Sequence, residues 1–380
     1  MKRILVLGGG IGGTLVANLI ARKLKKEEAE ITLISASQRH IYQPVWLYIP
    51  FSMDDIRSAS KPLKNLLNKR IKLVLGNITQ LDAGIQKVTL EDGQQIDYDF
   101  LVVATGSHPS PEDVPGFKEG AHFFYTEDSA SRLRVALEEF RGGKIVVGVG
   151  GLPHKCPVAP LEFTFLVEHF LNKRKLRDKT ELTYTYPLNR VFTIESAAGY
   201  AQTLLEQRNV QIETFFNLEE VDPENKVIRS MEGTELPYDL LVMIPPHRGA
   251  KFLQGNPIAD EQGWVKTNRN TLQVTGFDNI WAMGDTTDIP ISKAGSVTHF
   301  EAPVVAERLV ATLRKTTPHK KHAEYGGKVL CFIETGYGTA TKLEFDYQNP
   351  PKTPKPNRMI RLEKILFNKA YFFLVPTGRI

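Results

Sequence analysis

Short, nearly unbroken apolar runs recur along this chain, and the most prominent of them end in glycine. Arg3 to Leu7 runs into Gly8-x-Gly10-x-x-Gly13, and from there "LVANLIARKL" takes up the wider apolar spacing of a helix. That change of period predicts a strand, a tight turn and a helix. A second strand, "AEITLIS" over 29–35, follows at the distance of one βαβ unit. Residues 73–109 read as strands with a hairpin turn at Asp92-Gly93, and the last apolar run among them enters Ala104-Thr105-Gly106. A further strand, Lys144 to Val147, meets Gly148-x-Gly150, and a late one within 274–290 delivers Gly284-Asp285. The expected fold class is α/β with two Rossmann-like dinucleotide-binding domains. The first is discontinuous, 1–108 and 240–315; the second is inserted at 109–239; a C-terminal region of 316–380 follows.

Length and composition narrow the classes. The 380 residues exceed what one ordinary core organises, and 42% hydrophobic with 24% charged residues is globular. No apolar run reaches the roughly 18 to 20 residues of a membrane span, and the first strand starts beside Met1, so a cytoplasmic location is expected. A net charge of +5 with no recognition module in view speaks against nucleic acid as a partner. Two cysteines, Cys156 and Cys331, cannot build a structural disulfide framework, and neither has ligands at metal spacing, so no metal is expected.

Gly8, Gly10, Gly12 and Gly13 are expected to let the backbone approach a pyrophosphate that the following helix N-terminus then meets with its free N–H groups. Ser35 stands where an acidic residue usually holds a ribose, and its hydroxyl can do the same work. The order of glycine turn, Ala104-Thr105-Gly106 and late Gly284-Asp285 resembles the flavoproteins with two dinucleotide-binding domains, which implies FAD with Asp285 on its ribityl and phosphate part. The second turn departs from the pattern. "GVGGLPHKCPVAPLE" places Pro153, Lys155 and Cys156 where a helix should begin, so the second domain is not expected to bind NAD. Cys156, beside His154 and Lys155 and near a helix start at Pro160-Leu161-Glu162, is expected to favour the thiolate.

Cys331 lies in "VLCFIE". Together with Gly8 to Gly13, "IYQPVW" (41–46), Cys156-Pro157, Glu162, Gly284-Asp285 and Lys293-Ala294-Gly295, it makes the chain resemble the sulfide:quinone oxidoreductases and the flavoprotein subunit of flavocytochrome c sulfide dehydrogenase. The resemblance implies a Cys156–Cys331 redox pair that oxidises hydrogen sulfide or hydrosulfide to sulfane sulfur or polysulfide, with electrons passing through FAD to a membrane quinone. It places Cys331 nearer the flavin and Lys293 beside the flavin and quinone, and Glu162 is a candidate proton acceptor. His299 and Glu301 read as packing or solvent positions. The chain lacks a third cysteine that many relatives carry in the region of 122–130, and it lacks their long C-terminal extension. What remains, "IRLEKILFNKAYFFLV", aligns Leu362, Ile365, Leu366, Ala370 and Phe373 on one face with Arg361, Lys364 and Lys369 elsewhere. Such a helix suits a peripheral position on the inner face of the cell membrane, and packing against a second copy in a homo-oligomer is also compatible with it. The competing activities are a type II NADH:quinone oxidoreductase, a soluble sulfide dehydrogenase reducing a cytochrome, and a non-catalytic flavin redox sensor.

Overall fold

The structure is a computed structural model that describes residues 1–379. β1 (Lys2–Leu7) leads through Gly8–Gly10 into α1 (Ile11–Lys23), and β2 (Ala29–Ser35) returns parallel to it with Lys2 opposite Ala29. β3 (Ile71–Leu75) extends the sheet beyond β2, while β4 (Phe100–Val103) pairs with the other side of β1. Ile4 and Val6 join one apolar cluster and Leu5 and Leu7 another, on the opposite face. Burial on both faces is why β1 reads as an unbroken apolar run. An antiparallel meander, Ile78–Asp82, Lys87–Leu90 and Gln95–Asp97, carries the expected turn at Gly93.

The chain then leaves this sheet and builds a second one. β5 (Gly143–Val149), α2 (Ala159–Lys173), β6 (Thr180–Tyr186), α3 (Glu195–Glu206), β7 (Gln211–Thr214) and β8 (Leu240–Ile244) follow in order. Their strands lie parallel in the order β7-β6-β5-β8. β8 pairs with β5 along Ile145–Val149, so residues 240–244 belong to the second sheet and the boundary expected at 240 moves past Ile244. An apolar run such as Leu240–Ile244 is at home in either sheet, and only its pairing decides which. The crossing itself is a two-stranded antiparallel link, with His108–Pro109 against His247–Arg248.

β9 (Ile280–Ala282) completes the first sheet beside β4, and α4 (Gly295–Arg314) packs on α1. β10 (Val329–Glu334) and β11 (Ala340–Phe345) form a hairpin, followed by α5 (Arg358–Leu374). The Pro/Lys-rich link between the last two is extended as its sequence predicts, and it is also anchored. The Lys352 N–H donates to Glu344 O at 3.0 Å, the Asn357 N–H donates to Ala340 O at 3.0 Å, and the Asn357 side chain then caps α5. α5 docks through Ile360, Lys364 and Tyr371, the Tyr371 hydroxyl lying 2.9 Å from His40 Nε2. Its opposite side leaves Met359, Leu362, Leu366 and Phe373 exposed.

Candidate active site

The glycine turn, the Ala104–Gly106 segment and the Gly284–Asp285 turn follow β1, β4 and β9, which are neighbours, so all three meet at the carboxyl end of the first sheet. That end is where open parallel sheets bind ligands. α1 begins directly after Gly10, with no side-chain cap and no acidic residue in its first turn, leaving its N-terminal N–H groups free for an anion. A Cβ at Gly13 would lie 1.8 Å from Gly8 O, so the turn closes only without a side chain there, while Gly10 faces open space. Gly12, grouped with this cradle in the sequence, is the second residue of α1, so its N–H is one of those free first-turn groups. It is buried inside α1, and a Cβ there would lie 2.9 Å from Thr298 Cγ2 of α4 and 3.3 Å from Ala104 Cβ. Its missing side chain also serves the close approach of α1, α4 and the Ala104 segment.

Ala104 N–H donates to Leu7 O at 2.9 Å, which holds Ala104-Thr105-Gly106 beside the glycine turn. The Thr105 and Thr286 hydroxyls lie 3.2 Å apart, and Ser107 donates to Asp285 Oδ2 at 3.4 Å. Burial pushes the Asp285 carboxyl up, against the pull of the Lys155 and Lys293 ammonium groups. Lys293 donates to Asp285 O at 2.9 Å and to Thr287 O at 2.7 Å, with its Nζ 4.1 Å from the centroid of the Trp264 ring. A cradle bare of side chains, an uncapped helix N-terminus and a carboxylate at the late turn form a donor and acceptor set that fits FAD. Ser35 is positioned at the end of β2, but its hydroxyl donates to Ser37 O at 2.7 Å and so closes a local turn.

The second glycine turn has a different outcome. β5 ends at Val149 and α2 starts only at Ala159, so residues 150–158 form a loop where the first domain has a helix N-terminus. Gly150 N–H is spent on Ile244 O at 2.8 Å. Within the loop Cys156 takes a left-handed conformation, φ 51°, and its N–H donates to Lys293 O at 2.6 Å. The loop that would cradle a second nucleotide is instead stitched to the Gly284–Lys293 segment of the first domain.

Both cysteines are free thiols. Cys331 is buried in β10 beside Ser296, and burial pushes its thiol up to about 11. Cys156 is pushed higher still, by burial first and then by Cys331 and Glu162, which brings the two thiols into one cluster with that carboxylate. The expected preference of Cys156 for the thiolate is therefore reversed. Lys155 turns its ammonium toward Ser107 O, 3.3 Å away, and toward Asp285, while buried His154 is neutral, its pKa lowered to about 4 by desolvation. Loss of solvent outweighs these neighbours.

Glu162 is buried in the first turn of α2. It accepts the Glu334 N–H at 3.0 Å and the Tyr48 hydroxyl at 3.4 Å, and it forms an ion pair with Lys364 of α5. Burial pushes the Glu162 carboxyl up and Lys364 pulls it back. One helical turn away, Arg361 Nε holds Glu334 Oε1 at 2.5 Å. Lys364, placed by its sequence with the polar residues of the terminal helix, is thus a buried member of the site. It shares a stripe with Ile360 and Tyr371, a signal legible only once the inward face of α5 is known. Glu301 is likewise neither solvated nor inert: it is fully buried and accepts the Gly284 N–H at 2.6 Å.

The model of the pyridine nucleotide-disulphide oxidoreductase family matches residues 2–307. Among curated proteins, the mitochondrial sulfide:quinone oxidoreductase of Mus musculus is 26% identical, over 92% of this chain and 79% of its own length. That of Dictyostelium discoideum is 28% identical over 91% and 78%. Among solved structures, the sulfide:quinone oxidoreductase of Aquifex aeolicus matches with a TM-score of 0.87 at 23% identity, covering 100% of this chain and 92% of that one.

Proposed function

Because this chain belongs to the pyridine nucleotide-disulphide oxidoreductase family, we propose that it is a flavin-dependent sulfide:quinone oxidoreductase, taking two electrons from sulfide at Cys156 and Cys331 and delivering them to a quinone. The observation that carries this reading is the thiol cluster: Cys156, on a loop tied to the flavin-type cradle, and Cys331 in β10, 175 positions further along, both feel the charge of Glu162. FAD, held by Gly8, Gly10, Gly13, Ala104 to Gly106, Asp285 and Lys293, supplies a two-electron acceptor when bound. Ser35 lies at the ribose end of that set. In the oxidised protein Cys156 and Cys331 form a disulfide. Hydrosulfide opens it by forming a bond to one sulfur, and the other leaves as a thiolate, Cys331 on the flavin side and Cys156 as its partner. Lys364, a cation that lowers both thiols, steadies that thiolate, and Glu162 accepts the proton the substrate gives up. Lys293 keeps positive charge beside the reduced cofactor. With two electrons given up to bound FAD, that thiolate would rejoin the persulfide sulfur and restore a bridge between the cysteines, and further hydrosulfide attack on the bridge would yield sulfane sulfur or polysulfide.

The test is anaerobic spectroscopy of the purified holoprotein. Sulfide is expected to bleach the flavin within the mixing time of the experiment and NADH to leave it oxidised. Bleaching by NADH alone would transfer the chain to the NADH:quinone reading.

Quinone is reached at the membrane surface, where α5 lies as a peripheral anchor on the inner face. Leu366 and Phe373 are 57% and 62% exposed although both are large and apolar, and Lys369 flanks them for anionic headgroups. Among the described residues no helix is long and apolar enough to cross a membrane. The double variant Leu366→Glu/Phe373→Glu is expected to lose sedimentation with anionic vesicles while keeping flavin reduction by sulfide. Unchanged sedimentation would remove α5 from the anchor.

A further inference from the structure

Glu301 lies on the second turn of α4 with none of its surface exposed. One carboxyl oxygen, Oε2, accepts the Gly284 N–H at 2.6 Å; the other, Oε1, is buried with no hydrogen-bond partner. The next residue in that turn, Asp285, brings a second buried carboxyl to the same place. Among the described residues Lys293 is the cation that faces both, and its ammonium is already shared between the carbonyl oxygens of Asp285 and Thr287. The remaining titratable neighbours that feel Glu301 are the phenols of Tyr325 and Tyr347, both held in the neutral form by burial. Lys155 also faces Asp285 but not Glu301, so a charge on Glu301 has only the committed ammonium of Lys293 to set against its loss of solvent.

We propose that Glu301 is a positioning residue whose proton couples the Gly284–Asp285 turn to pH, so that the turn grips FAD firmly when Glu301 is protonated and loosely when it is charged. With the proton on Glu301, Asp285 is the sole anion of the turn and is free to accept a ribityl hydroxyl. Without it, two like charges face each other across Gly284, and the cost falls on the geometry that presents Asp285. The inference rests on the flavin reading above. Burial, with Asp285 adding to it against the Gly284 N–H and Lys293, raises the Glu301 carboxyl from its ordinary 4.5 to about 7. The sign follows: a carboxyl raised in the folded state contributes stability that is complete below 4.5 and is lost as the pH climbs through about 7.

The test compares wild type with Glu301→Gln, which keeps an oxygen for the Gly284 N–H and cannot ionise. FAD affinity of the apoprotein is measured between about pH 6 and pH 8.5, with melting temperature of the same apoprotein alongside. The wild-type Kd is expected to rise about tenfold across that range while the variant stays within about twofold of its own value. The wild-type melting temperature is expected to fall over the same interval and the variant's to hold. Parallel behaviour of the two proteins overturns the proposal. If wild type binds no FAD at any pH, the flavin reading fails, and the melting curves still decide the role of Glu301. Should Glu301→Gln not fold, a carboxyl-carbon NMR titration of wild-type apoprotein replaces it. Titration of the assigned Glu301 carboxyl near neutrality supports the clasp, and its titration below about pH 5.5 overturns it.

Discussion

The Cys331→Ser variant is expected to reduce its flavin with sulfide at least about a thousandfold more slowly than wild type, and Cys156→Ser likewise. Serine keeps the volume and a polar hydrogen, so fold and cofactor content stay unchanged, but an alcohol can neither form the disulfide nor leave as a stable anion. The two thiols act as one unit, so the double variant is expected to be no slower than either single one. Both pKa values are raised by burial, which sharpens the expectation: the site survives on disulfide exchange, where the sulfur enters oxidised and the thiolate forms only as a leaving group. Stopped-flow absorbance under anaerobic conditions measures it. A Cys331→Ser protein that bleaches at the wild-type rate would take the thiols out of the reaction.

The second large effect concerns stability. Lys364→Met is expected to destabilise the fold by about 3–5 kcal/mol at neutral pH, because it strands the buried Glu162 carboxylate without its cation. Both side chains of this pair are under 10% exposed, at 9% and 4%. The contrast is the Arg229–Glu235 pair, 2.7 Å apart with side chains 34% and 61% exposed, whose disruption is expected to leave the stability nearly unchanged. Glu162 is already raised by burial, so removing Lys364 raises it further. The penalty therefore shrinks as the pH falls and the carboxyl takes a proton. Pairing the change with Glu162→Gln is expected to recover most of the loss, since the uncompensated charge disappears with its partner. Urea unfolding of the four proteins closes the cycle. Equal losses in Lys364→Met and in the double variant would mean that packing by the lysine stem, rather than its charge, holds α5 in place.

What was legible in the sequence was local. The glycine turn, Ala104-Thr105-Gly106 and Gly284-Asp285 each announce themselves within a few residues, because a backbone that must turn tightly or approach a phosphate dictates glycine on the spot. That they converge follows from the parallel sheet that carries them. Gly12 shows the limit of that reading: it stands among the cradle glycines, yet the side chain it must avoid belongs to Thr298, far along the chain. The cysteine pair needed resemblance, since nothing in the neighbourhood of Cys156 names Cys331. What stayed hidden depended on partners far away in sequence. Lys364 finds Glu162 across 202 positions, and a lysine on an amphipathic helix carries no mark of burial until its partner is known. Glu301 gives no sign of holding Gly284, and the run Leu240–Ile244 does not state which sheet it joins. The protonation of Cys156 was misjudged for a related reason: sequence lists the charges nearby, but burial is a property of the whole fold.

The link of His108–Pro109 with His247–Arg248 has a consequence for how the molecule comes into being. The second sheet is drawn from one continuous stretch, 143–244, and can close while the rest of the chain is still on the ribosome. The first sheet begins with the earliest strand and waits for β9 at 280–282 to cover its edge. Later still comes α5, which carries the cation for Glu162. A nascent chain therefore leaves the Glu162 carboxylate without its cation until α5 arrives, and the chamber around Glu162 becomes dry only then.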